Sequence, residues 1–128
     1  MGTQYLIDTN AVIDYLMGKL PSSAMAFMNT IINDIPNVSV ITKIEVLGFS
    51  TTPVAYKIMS NFFEDAIVFG LTEEIIEQTI ELRKSRKIKL PDAIIAATAI
   101  VYQFDLISRN TADFKSITGL NTLDPYSK

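Results

Sequence analysis

The chain has 128 residues, 48% of them hydrophobic and 20% charged, a composition that fits one compact domain over 1–128 and argues against disorder. It contains no cysteine and no histidine, which excludes disulfides, thiolate or imidazole zinc sites, thiol nucleophiles and every histidine-based acid–base mechanism. Hydrolytic chemistry must then run on carboxylates with a hard metal ion, or on lysine or tyrosine; the net charge of −3 weighs against a general nucleic-acid binder.

Tyr5-Leu6-Ile7 is a short apolar run suited to a buried parallel strand over 4–7, and it leads straight into Asp8. A helix is predicted from about Thr9 to Gly18, and a second opens at Pro21-Ser22-Ser23 and runs to about Ile32. Residues 38–41, with β-branched Val38, Val40 and Ile41, read as the second strand. Thr42 then begins a third helix and Pro53 a fourth, and 66–69 reads as the third strand. Thr72 caps a fifth helix with Glu73 and Glu74 in its first turn and the cations of 83–87 in its last, as the macrodipole favours. Leu90-Pro91-Asp92 opens a markedly apolar helix to about Gln103. Leu106-Ile107-Ser108 is the fourth strand, and 121–123 a short fifth. The longest apolar stretch, 93–101, falls short of the roughly 20 residues that a bilayer span needs. The start of the chain reads as a strand, not as a signal peptide. A soluble, cytoplasmic protein with no membrane partner is expected.

Strands separated by helices imply a central, mostly parallel sheet of four to five strands, covered on both faces. In such sheets ligands gather at the carboxyl ends of the strands. Asp8 ends the first strand, Glu45 lies one turn beyond the second, Asp92 opens the apolar helix, and Asn110 and Asp113 follow the fourth strand. Each has an ordinary structural alternative. Asp8 can cap the helix at Thr9; Thr42 and Glu45 fit a capping box; Asp92 can complement a helix dipole; Asp113 can be a loop acid. Together, acids from several segments at one edge would repel one another, and such groups take up protons or hold a cation. Oxygen-only ligation suits Mg²⁺ or Mn²⁺.

The same segments resemble the PIN-domain family, in particular the VapC-like toxins of bacterial toxin–antitoxin pairs. Tyr5-Leu6-Ile7-Asp8-Thr9-Asn10 is similar to the family's first motif and Ser39-Val40-Ile41-Thr42-Lys43-Ile44-Glu45-Val46 to its second. Leu90-Pro91-Asp92-Ala93-Ile94-Ile95-Ala96-Ala97-Thr98-Ala99 is the most specific match, and Leu106-Ile107-Ser108-Arg109-Asn110-Thr111-Ala112-Asp113-Phe114 resembles the closing motif. The four occur in the family's order and cover nearly the whole chain. The resemblance implies a three-layer α/β/α fold and a metal-dependent endoribonuclease with Asp8, Glu45 and Asp92 as its acidic core. It also implies a homodimer and a small antitoxin whose tail fills the active site. Many members carry an aspartate where this chain has Asn110, so the fourth ligand is Asn110 or Asp113.

The expected chemistry is phosphodiester hydrolysis of RNA with one or two Mg²⁺ or Mn²⁺ ions. Asp8 and Asp92 hold the ion, Glu45 ligates or orients the attacking water, Asn110 or Asp113 serves a second ion, and Thr9 and Asn10 steady the site. RNA contacts are expected from Arg109 and from Arg86 and Lys87, part of a run with Arg83, Lys84 and Lys89, although a solvated helix end explains that run equally. A haloacid-dehalogenase-like phosphatase is disfavoured because it needs a second aspartate where this chain has Asn10. The alternative from another class is a catalytically weak or inactive PIN scaffold that binds nucleic acid or protein.

Overall fold

The computed structural model describes residues 3–127. Its elements follow in the order β1 (Tyr5–Ile7), α1 (Thr9–Leu16), α2 (Ser22–Asn33), β2 (Asn37–Ser39), α3 (Val40–Leu47), α4 (Pro53–Asp65) and β3 (Ile67–Phe69). Then come α5 (Glu73–Ser85), α6 (Leu90–Tyr102), β4 (Asp105–Ile107), α7 (Thr111–Phe114) and β5 (Thr122–Leu123), with a 3-10 turn at Pro125–Ser127. The strands form one five-stranded sheet in the order β3-β2-β1-β4-β5, and every pairing is parallel.

Alternation along the strands divides the apolar residues between two cores. Leu6 and Leu106 pack with Ile75, Leu82, Ile95 and Phe114. Their chain neighbours Ile7 and Ile107 pack with Val12, Met28, Val38 and Phe62. Helices α5 and α6 therefore cover one face and α1, α2 and α4 the other, which is the three-layer arrangement expected of the alternating pattern. Every residue of α6 from Ala93 to Ala99 is buried, and its alanines let the backbone approach its neighbours closely. Thr72 caps α5 as expected, its Oγ1 accepting from the Ile75 amide at 3.2 Å, and Thr52, which the sequence reading did not single out, accepts from the Ala55 amide ahead of Pro53. Among the described residues no helix is long and apolar enough to cross a membrane.

The main correction falls between β2 and α3. The sequence reading carries the strand to Ile41 and starts the helix at Thr42, but the strand ends at Ser39, and Val40 and Ile41 are already helical. Ser39 pairs with Phe69, the last residue of β3, so residues beyond it have no neighbour to extend the ladder. The Ser39 hydroxyl then accepts from the Ile41 amide at 3.1 Å and caps the helix. Thr42 lies inside the first turn, fully buried, and the expected capping box with Glu45 does not form. Smaller shifts have similar causes. Helix α1 ends at Leu16, with Gly18 in the left-handed region at φ 68° just beyond its end. Helix α5 ends at Ser85 because Arg86 is extended, so only Arg83 and Lys84 sit in its last turn. Strand β4 begins and ends one residue earlier than expected, leaving Ser108 just past its end, and the short α7 was not anticipated.

Ser39→Ala should lower the free energy of unfolding by about 1 kcal/mol, read from urea denaturation. No change in the midpoint would mean that Ser39 is not the cap and that the helix starts later.

Candidate active site at the carboxyl edge of the sheet

Strand order reverses at β1: the chain moves outward through β2 to β3, then returns to the other side of β1 as β4. A crevice forms at the carboxyl ends of strands where such a reversal occurs. Asp8 follows β1 and the Ser108-Arg109-Asn110 segment follows β4, one on each side of this point.

Asp8 is only 5% exposed, and a carboxylate at that depth must be hydrogen-bonded. Its Oδ1 accepts from the Thr9 amide at 2.8 Å, so it does cap α1 as one reading of the sequence expected. Its Oδ2 accepts from the Ser108 hydroxyl at 2.7 Å. Ser108 Oγ in turn accepts from the Asn110 amide at 3.0 Å. Capping and site-building are thus one arrangement.

Glu45 is exposed on α3, and its Oε1 accepts from the Thr9 hydroxyl at 2.6 Å. Thr9 Oγ1 also lies 3.1 Å from Thr42 Oγ1. Thr9 has one hydroxyl hydrogen, so with that proton on Glu45 it accepts from Thr42. The chain Thr42–Thr9–Glu45 therefore aims the glutamate across from α3 to α1. Asp92 sits half-buried in the first turn of α6. Asn110 donates from Nδ2 to Asp113 Oδ2 at 2.6 Å, which leaves the carboxamide oxygen of Asn110 free to accept or ligate.

The acids share one field. Burial pushes the Asp8 carboxyl above its ordinary 3.8; the hydrogen bonds from Ser108 and Thr9 oppose this, and the charges of Asp92 and Glu45 push it higher. Asp92 is raised first by burial, then by the charges of Asp113 and Glu45, with Lys89 opposing. Among the described residues, no three of these acids approach closely enough to enclose an ion by themselves.

Other expected residues lie apart from this set. Asn10 is exposed on α1. Arg86 donates from Nη1 to Ser116 Oγ at 3.1 Å, which ties the end of α5 to the segment after α7, and Lys87 beside it is exposed. Arg109 is held by Asp14 at 3.1 Å. The sequence reading missed Ser108, Asp14 and Tyr126 as contributors. A serine directly after two apolar strand residues was one available signal. An acid between Ile13 and Tyr15 in an apolar helix was the other, since it demands a partner.

The chain matches the family model for the PIN domain over residues 5–120. No curated protein matches it. Among solved structures it is similar to a chain of a toxin–antitoxin complex from Klebsiella pneumoniae, at 31% identity and a TM-score of 0.75, with 96% of this chain and 98% of that chain covered. A chain of DNA-bound VapBC from Salmonella typhimurium is similar at 20% identity and a TM-score of 0.82, covering 97% and 99%. A chain of FitAcB from Neisseria gonorrhoeae is similar at 20% identity and 0.76, covering 98% and 100%. At 20% identity the likeness speaks to the fold.

Raised carboxyls have a thermodynamic consequence in the metal-free protein. The folded state holds these protons more tightly than the unfolded chain, so stability falls as pH rises from about 3.8 through the folded values. At neutral pH both groups are left at a deficit. Asp92→Asn should therefore raise the Tm of EDTA-treated protein at pH 7, with the gain shrinking as the pH approaches 4. Differential scanning calorimetry reads this directly; a lower Tm at pH 7 would remove the case that burial and repulsion raise the Asp92 carboxyl.

Proposed function

This chain belongs to the PIN-domain family, and on that premise we propose that residues 1–128 act as one domain, a Mg²⁺- or Mn²⁺-dependent endoribonuclease that is the toxin of a toxin–antitoxin pair. The observation that carries the reading is the buried Asp8 at the strand-order reversal, held by Thr9 and Ser108, with Glu45 bonded to the same Thr9; the raised Asp8 and Asp92 carboxyls accompany it. Carboxylates placed at such a cost have a use for a cation.

In this reading Asp8 and Asp92 would hold the ion, and Glu45, aimed by Thr9, would orient the attacking water. Asn110, through its free carboxamide oxygen, and Asp113 serve a second ion or the leaving-group side. Thr9 steadies the site by its hydrogen bonds, and Asn10, exposed beside it on α1, has no part in them. The bound cation supplies Lewis acidity and a more acidic water. Arg86 and Lys87 provide the local positive charge that an acidic chain needs to receive RNA, whereas Arg109, expected from the sequence to share that role, is paired with Asp14. The partners are an RNA substrate, a second copy of the chain and a small antitoxin, all in the cytoplasm; the similar chain from Klebsiella pneumoniae comes from a toxin–antitoxin complex.

A second reading, a PIN scaffold that binds without cutting, draws on Asn110 standing where a further acid would strengthen the site, and on the open spacing of the acids. One assay separates the two. Asp8→Asn and Asp92→Asn should each lower Mn²⁺-dependent cleavage of single-stranded RNA by about 100-fold or more, with circular dichroism unchanged. Wild-type protein, freed of any co-purifying antitoxin, that cuts none of a panel of RNAs would favour the scaffold.

A further inference from the structure

Asp14 is a second buried carboxylate of α1, 5% exposed, and it takes no part in the acid cluster. A charge at that depth requires a partner, and Asp14 has two on one oxygen. Arg109 donates from Nη1 to Oδ2 at 3.1 Å, and the Tyr126 hydroxyl donates to the same Oδ2 at 3.0 Å. The Arg109 guanidinium also lies over the Tyr126 ring, 5.7 Å from its centre, within reach of a cation–π attraction. Among the described residues this is the only ion pair. It draws together α1, the segment after β4 and the 3-10 turn at Pro125–Ser127.

The position of Arg109 in the chain gives this clasp its consequence. On one side stands Ser108, whose hydroxyl holds both Asp8 and the Asn110 amide. On the other stands Asn110, whose carboxamide holds Asp113. The flanking side chains act in the acid cluster, while the middle one is fastened outside it. We propose that Asp14 and Tyr126 are positioning residues: by holding Arg109 they fix the backbone of 108–110, and with it the hydrogen bond on Asp8 and the placement of the Asn110–Asp113 pair. A hydroxyl that must donate to one carboxylate and accept from one amide tolerates little movement of its own backbone. The effect on turnover rests on the nuclease reading; the effect on the segment's order does not.

Two substitutions and two measurements test this. Asp14→Asn keeps the shape and removes the charge, and Tyr126→Phe keeps the ring over Arg109 and removes the hydroxyl. Amide hydrogen exchange followed by NMR should show the Asn110 amide exchanging about tenfold faster in Asp14→Asn and about threefold faster in Tyr126→Phe, with the Leu106 amide of β4 unchanged within about twofold. Steady-state RNA cleavage should show kcat lowered by about three- to tenfold and KM unchanged within about twofold. Unchanged exchange at Asn110 overturns the proposal. So does equal acceleration at Leu106, which would make the clasp a general stabiliser. A rise in KM alone also overturns it, because Arg109 would then act on RNA directly. If Asp14→Asn does not fold, Tyr126→Phe decides. If wild-type protein does not cleave, the nuclease reading fails and the exchange data alone decide the clasp.

Discussion

Asp8 is a charge with nowhere to go. It stands at the end of the central strand, almost sealed from water, and its oxygens must be met by donors that the fold brings to it. One donor is local, the Thr9 amide at the start of α1. The other, the Ser108 hydroxyl, comes from a segment one hundred residues later in the chain. Only the parallel pairing of β1 with β4, in register from Tyr5–Asp105 to Ile7–Ile107, brings Ser108 opposite Asp8. Everything else at this edge is set by that meeting. Thr9, committed as the first residue of α1, turns its hydroxyl to Glu45, and Ser108 passes its constraint to the Asn110 amide.

Much of this was legible in the sequence, for reasons that differ from element to element. The first strand and Asp8 read clearly because a short apolar run that stops at an acid has few other interpretations in a parallel sheet. Helix α5 declared its start through Thr72 and the glutamates after it, while the run of cations placed its end two residues too late. Helix α6 declared itself by being apolar all round, which only a helix enclosed by packing can be. The boundary of α3 did not read, because Ser39 and Thr42 are both good caps and Val40 and Ile41 both favour strands. That choice was made by where β3 stops, a fact about another segment. The acids were legible as types at an edge. The Ser108 bond and the Asp14–Arg109–Tyr126 cluster were not, since partners so far apart in the chain leave no periodicity to find.

The charge distribution also has a physical logic that the net value hides. The chain is acidic overall, yet Lys89 stands next to Asp92 in space and lowers the cost of its ionisation. Cations at the end of α5 and just after it flank the start of α6, the helix that carries Asp92. Buried and mutually repelling acids at one edge are unfavourable for the protein, and the positive charge at their margin offsets only part of that. Natural proteins commonly give up stability at such sites in exchange for activity. Here that loss resides in Asp8 and Asp92, at the ends of elements whose apolar residues fill two cores.

The dependence on β1–β4 pairing also makes the site a product of contacts far apart in the chain. Helix caps and α5 form from neighbours in sequence, whereas the Asp8–Ser108 bond needs β4 already docked, and loop-closure entropy makes such distant pairings late and slow. Strand β5, only two residues long at the sheet's edge, then pairs with β4. Leucine 123 accepts the Ser108 amide at 3.0 Å through its carbonyl, so the residue that holds Asp8 is itself held by the edge strand. The edge strand is therefore connected through Ser108 to Asp8. An edge built this way is complete only when the whole sheet is, and a chain folded as far as β3 would carry Asp8 and Glu45 without the Ser108 bond that fixes Asp8.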